Sequence, residues 1–384
     1  MASPELKLVR GTHGASPPHA SHGRGPAVVL GLLTLGSLVT ATLLGADRAR
    51  AVSRLQETAQ ETLFRILERG PDDAEVLASL EGIRIDMGRR PLDAFLRVVY
   101  AALLVEMSSG GADCGAATFH ARRASELAPV TVPVVGPASM VLVRCGEESR
   151  GLGLIREMFG YEPESAARLL TTLGGFIDPE RAKDAVPAEP EAWLAWSREL
   201  REQGRAQESE RWAFEGHRRW PDHLETLQEL ATRAASRNDW VALGSLLPLD
   251  GELPERRETA ILYAYRARVR AEAGDAAGAH RDVETATRLS EHHSAVLLQA
   301  GDALLVSGDN DGARRAWRRA LFELSSESDD SPRSRSRVLV RLARLEDADG
   351  EPADALRAWR EVLTQEPGNA EARKRVGELD VLGP

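Results

Sequence analysis

Lysine is almost missing from this chain. Only Lys7, Lys183 and Lys374 occur in 384 residues, so arginine carries nearly all the positive charge. Aromatic residues make up 5%, and there are two cysteines, Cys114 and Cys145. No stretch alternates polar and β-branched apolar residues for long, which argues against a sheet. The motifs of common reactions are absent as well: G-x-S-x-G, H-E-x-x-H, a Walker loop and C-x-x-C are not found. Gly151-Leu152-Gly153 lacks the third glycine of a dinucleotide loop, and His292-His293 has only Glu291 beside it. A formal net charge of −10 argues against general nucleic-acid binding. We expect no catalytic residue, no cofactor and no metal site. What is present, chiefly Ala, Leu, Arg and Glu, suits an all-α chain. The Arg and Ala bias reads as the mark of a GC-rich bacterial genome.

Residues 1–25 are rich in Gly, Pro, Ser and His, without periodicity, and are expected to be a disordered tail. Residues 26–46, PAVVLGLLTLGSLVTATLLGA, carry no charge and are bracketed by Arg24 and Asp47-Arg48. A helix of that length spans about 30 Å, the hydrocarbon thickness, so a transmembrane helix is expected. A cleaved signal peptide is the competing reading, with Ala49-Arg50-Ala51 as the small-x-small site. The apolar run exceeds the usual h-region of about 7–15 residues, which favours an anchor. Lys7, Arg10 and Arg24 precede the span and Arg48, Arg50 and Arg54 follow it, so the positive-inside rule does not orient it.

Beyond the span, apolar residues recur at helical spacing. Residues 49–185 read as degenerate helical hairpins, and residues 190–380 as regular ones. In the regular part the inter-helix turns fall at Gly204, Asn238, Gly274, Gly308 and Gly350, giving steps of 34, 36, 34 and 42 residues. The last step contains the inserted polar tract SSESDDSP at 325–332, and without it the step is again 34. Neither helix of such a pair can bury its apolar stripe alone, so the pairs must stack on one another.

The period and its positions resemble the tetratricopeptide repeat (TPR) family. The unit at 336 carries Leu339, Leu342, Ala343, Gly350, Ala355, Trp359 and Pro367 at the family's bulky, small, turn, aromatic and closing positions. The unit at 294 offers Leu297, Gly301, Gly308, Ala313, Trp317 and Ala320. The unit at 260 offers Tyr263, Ala267, Gly274, Ala279 and Ala286, with Glu291 where Pro is expected. The unit at 190 offers Trp193, Trp196, Ser197, Gly204, Ala213 and Pro221. The resemblance implies a TPR-like α-solenoid whose use is to hold a partner protein or peptide in its concave groove. Residues 185–205 and 359–379 are also similar to the C-terminal TPR tails of O-antigen ligase and polysaccharide polymerase-like proteins. That likeness implies a place near cell-envelope polysaccharide assembly, although the multi-span polymerase portion is missing here.

Two sets of residues follow as candidates. Cys114 opens a second helix of one pair and Cys145 closes the first helix of the next, so antiparallel stacking brings them to one edge. Either they form a disulfide, which would indicate an oxidising compartment, or they are two buried thiols. A bridge would put the repeats on the periplasmic side of a bacterial inner membrane. The second set lies on the first helices, which line the concave face in the family: Leu194, Arg198, Arg201, Arg268, Leu298, Asp302, Val340 and Arg344. It fits an acidic peptide or an anionic glycan. The family's Lys/Asn clamp for C-terminal carboxylates is absent. A glycan-binding accessory subunit of an envelope polysaccharide system is the alternative function, but the seven tryptophans sit at packing positions or helix ends, where core burial is expected.

Overall fold

The computed structural model describes residues 73–382 except 108–113, 178, 248, 252, 326–331 and 351, together with 61, 62, 65, 66 and 68. The expected tail at 1–25 and the expected span at 26–46 lie outside the described residues, as does most of the polar tract at 325–332. Among the described residues, all regular structure is helical, and no helix is long and apolar enough to cross a membrane.

A turn repeated along the chain makes the hairpins. Gly204, Asn238, Gly274, Gly308 and Gly350 all adopt positive φ, between 55° and 86°, as does Gly146 in the degenerate part. In this left-handed conformation the next N–H reaches back to the last free carbonyls of the helix. The Asp275 N–H donates to Arg270 O at 2.9 Å, the Asp309 N–H to Leu304 O at 2.9 Å, and the Asp239 N–H to Ala234 O at 3.0 Å. The same aspartates then cap the following helix. Their carboxylates accept from the N–H groups of Gly278 (2.8 Å), Gly312 (2.8 Å) and Ala242 (3.0 Å). One dipeptide, Gly/Asn-Asp, thus ends one helix and starts the next.

The described residues divide into two compact units, the first ending at Arg205 and the second beginning at Ala206. In the first unit the helices are α1 (Ala74–Arg89), α2 (Ala94–Met107), α3 (Cys114–Leu127), α4 (Val132–Arg144), α5 (Glu148–Phe159), α6 (Pro163–Leu173), the short α7 (Pro179–Asp184) and α8 (Pro190–Glu202). Helices α2 and α3 form one hairpin and α4 and α5 the next, and α4 packs on α2. Sequence spacing starts a helix at Pro137, but α4 begins at Val132 and carries Pro137 inside it. Eleven of its 13 residues are buried. That burial outweighs the backbone hydrogen bond that a proline removes. The segment after α6 also departs from expectation. Its composition reads as irregular up to Glu189, yet it contains α7.

In the second unit the helices are α9 (Ala206–Arg219), α10 (Leu224–Ser236), α11 (Trp240–Leu246), α12 (Ala260–Glu272), α13 (Ala276–Leu289), α14 (Ser294–Val306), α15 (Asn310–Leu324), α16 (Pro332–Ala348), α17 (Pro352–Gln365) and α18 (Ala370–Leu382). Successive hairpins α12–α13, α14–α15 and α16–α17 follow one another, each packing on its neighbour. Small and large residues interlock between paired helices. A Cβ added at Gly301 of α14 would stand 2.4 Å from Trp317 Nε1. The Trp317 indole is buried there, donating to Leu298 O and to Asp302 Oδ1, each at 3.2 Å.

One hairpin is irregular. Helix α11 has 7 residues where α13 and α15 have 14 and 15. Leu247 adopts an extended conformation, as a residue before proline should, and Pro248 follows it. Leu247 and the described residues 249–251 and 253–256 form an irregular strap. Leu247 and Leu253 of this strap are buried in the same core as Leu243, Leu246 and Tyr263.

Candidate binding surface

Cys114 at the start of α3 and Cys145 at the end of α4 are joined by a disulfide, with Cα atoms 5.4 Å apart. It ties two consecutive hairpins of the first unit. Nearby ion pairs cross the same helices: Arg122 of α3 with Glu147, and Arg144 of α4 with Glu106 of α2.

The eight residues expected on the inner stripe do not behave alike. Leu194 and Leu298 are 2% and 7% exposed, so they are core residues and not surface contacts. Val340 is half-buried against the core of α16 and α17. In the first unit Arg198 Nη1 meets Glu164 Oε1 at 2.9 Å, and Arg201 is exposed. In the second unit the charged members come together. Arg268 stacks over the Trp240 ring at 4.8 Å, binds Glu272 Oε1 at 2.7 Å and donates to Asp302 O at 3.0 Å. The Asp302 carboxylate receives Arg341 Nε at 2.6 Å and Nη2 at 2.9 Å. Arg344 grips Glu371 of α18 through two bonds of 2.8 and 2.6 Å. That bidentate pair raises the Arg344 pKa and holds the Glu371 carboxyl below the usual range.

The stripe is therefore a self-neutralised network of arginines and carboxylates linking α12, α14, α16 and α18. An acidic ligand would have to compete with these internal partners. This weakens the expectation of a free cationic face, because charge spacing along a helix does not reveal which carboxylate a neighbouring helix will supply.

A second constellation was missed from sequence. Tyr263, Arg266 and Arg270 lie at i, i+3 and i+7 on α12, on one face. The Tyr263 hydroxyl donates to Leu253 O at 2.6 Å, Arg266 Nη1 donates to Gly251 O at 2.7 Å, and Arg270 Nη2 donates to Leu249 O. Asp282 of α13 holds both arginines from behind. It takes Arg266 in a bidentate pair of 2.9 and 2.8 Å and Arg270 Nη1 at 3.1 Å. Arg266 and Asp282 are 5% and 3% exposed. Burial pushes the Tyr263 phenol pKa up. The available signal was the pair of arginines at positions where sister units carry Ala300 and Leu304, or Leu342 and Glu346.

The first unit also holds a cavity of about 440 Å³ lined by Glu148, Leu152, Arg156, Arg181 and Asp184. Arg181 pairs with Glu148 at 2.9 Å, and Arg156 donates to the Asp184 backbone carbonyl at 3.3 Å. Among the described residues, no group of three His, Cys, Asp or Glu side chains could hold a metal ion.

Among the described residues the fold defines a class: an all-α architecture built from successive helical hairpins. No family model matches it, and no curated protein matches it. Solved structures similar to it include the APC/C hetero-tetramer Cut9–Hcn1 (13% identity over 89% of this chain and 74% of that chain, TM-score 0.43). Another is the C-terminal part of a TPR repeat-containing protein from Cytophaga hutchinsonii (10% identity, 73% and 99% covered, TM-score 0.36). A third is a thermophilic TPR protein from Thermus thermophilus (20% identity, 63% and 99% covered, TM-score 0.27). At these TM-scores the likenesses carry nothing about a ligand or an activity.

Proposed function

We propose that this chain is a TPR-like scaffold that holds a partner protein or peptide on its helical repeats, a binding protein and not an enzyme. The observation that carries this reading is the run of hairpins α12–α13, α14–α15 and α16–α17, each closed by a left-handed glycine and packed on the next. Arrays of this kind offer long helix faces whose residues vary independently of the core, which suits recognition of an extended partner. A glycan platform has less support. Trp317, Trp359 and Trp196 are buried, and Trp240 lies under Arg268, so their ring faces are in use.

In the same proposal, residues 26–46 anchor the chain in a bacterial inner membrane and the repeats face the periplasm, near envelope polysaccharide assembly. The Cys114–Cys145 pairing supports an oxidising compartment. Proximity labelling in the native host tests the scaffold: a reproducible protein neighbour, lost when the repeats are deleted, is expected. A single added thiol tests the side of the membrane. Arg357 is exposed, and Arg357→Cys should react with a membrane-impermeant maleimide from the periplasm. Reaction only after the inner membrane is opened would refute the orientation.

A further inference from the structure

The Cys114–Cys145 bridge joins opposite poles of two helices. Cys114 is the first residue of α3, where the N–H groups of the first turn have no acceptor within the helix. That turn holds no acidic side chain. Cys145 closes the C-terminal end of α4, where the carbonyls gather. A helix favours negative charge at its N-terminus and disfavours it at its C-terminus. A thiolate is therefore better accommodated at Cys114 than at Cys145. The cation next to Cys145, Arg144, is taken by Glu106 of α2.

The bridge is also within reach of solvent. Both cysteines are half-buried. Each is followed by a glycine, and a Cβ added at Gly115 or Gly146 would meet nothing within 4 Å. Open space thus flanks both residues, where a staple sunk in the core would be walled in. The helices also hold contacts that do not depend on the bond. Ala117, Ala121 and Ala124 of α3 are fully buried, and Arg122 of α3 pairs with Glu147 just past α4.

We propose that this bridge is a polarised thiol-exchange site, at which an external thiolate joins Cys145 and Cys114 leaves. The new S–S bond forms at Cys145 Sγ as the old one breaks. The electron pair departs with Cys114, whose thiolate then takes a proton from water. A second external thiol displaces Cys145 from the mixed disulfide. In sum, two external thiols become one disulfide, and the bridge gains two electrons and two protons. The better-stabilised thiolate leaves faster, so the N-terminus of α3 sets the direction. Cys145 is thus a site of S-thiolation by a low-molecular-weight thiol, whatever partner the scaffold holds.

The probe is reduced glutathione, given in limiting amount to the full oxidised chain. An early quench with N-ethylmaleimide, followed by peptide mass spectrometry, counts the two mixed disulfides. Glutathione should sit on Cys145 at least about threefold more often than on Cys114. Gly115→Asp puts a carboxylate beside Cys114 and should bring that ratio toward one. Equal labelling of the two cysteines in the wild-type chain, or a preference for Cys114, overturns the proposal. So does a bridge that reacts only after the helical circular dichroism is lost. If Gly115→Asp does not fold, the wild-type ratio read at rising salt takes its place. It should fall as the helix termini are screened, and a ratio indifferent to salt counts against the polarity.

Discussion

Removing the Cys114–Cys145 bridge should loosen the first unit and leave the second untouched. The two residues are 31 apart in sequence. Closing a loop of that length in the unfolded chain lowers its entropy by roughly 12 cal/mol/K, or about 3.7 kcal/mol at 25 °C. The bridge joins the start of α3 to the end of α4, so amides of α2 to α5 should report the loss. Hydrogen exchange with mass spectrometry on Cys114→Ser/Cys145→Ser should show those amides exchanging about 500-fold faster where exchange proceeds through unfolding of the unit. Peptides from α12 to α17 should keep their wild-type rates. Treating the wild-type protein with a strong dithiol reductant should reproduce the pattern. Unchanged protection of α2 to α5 in the serine variant would refute the argument, as would equal loosening of both units.

Three further outcomes follow from packing and charge. Gly301→Ala places a methyl into the Trp317 indole, which is buried and hydrogen-bonded. Overpacking of this kind costs about 1–3 kcal/mol and should appear as a lower Tm with a shifted Trp fluorescence maximum. Arg266→Met strands Asp282 with Arg270 as its remaining cation and should cost about 3–5 kcal/mol in urea unfolding. Adding Asp282→Leu should restore much of that loss, and a double-variant cycle measures the coupling. The Asp309 carboxyl is held below its usual range, first by the Gly312 N–H and then by His280. A depressed folded-state pKa means its contribution is complete above the unfolded-state value of about 3.9 and vanishes as pH falls through the folded value. Asp309→Asn should therefore lose less stability than the wild type on acidification from pH ~5 to ~3, read by thermal melts.

Turns were more legible in the sequence than surfaces were. Gly204, Asn238, Gly274, Gly308 and Gly350 were marked by spacing alone, and all prove left-handed. A glycine, or an asparagine, at the end of an apolar stripe has one strong structural use, so the residue type speaks for itself. The aspartates that follow at 239, 275 and 309 carried the same kind of local signal and were overlooked. Arg198, Arg268 and Arg344 were legible in the sequence as charges at one position of their units, with Asp302 breaking the series. These arginines nevertheless face Glu164, Glu272 and Glu371, and two of those three acids lie on other helices.

Chain order and local chemistry determined the helical content, the length of the hairpin repeat and the places where it bends, since these depend on residues within a turn or two of each other. The pairing of Asp302 with Arg341, the grip of α12 on the strap and the loss of Leu194 and Leu298 to the interior were decided only in three dimensions. Each depends on which side chain from a distant segment arrives within bonding reach. Stacking sets that meeting, and the period along the chain cannot announce it.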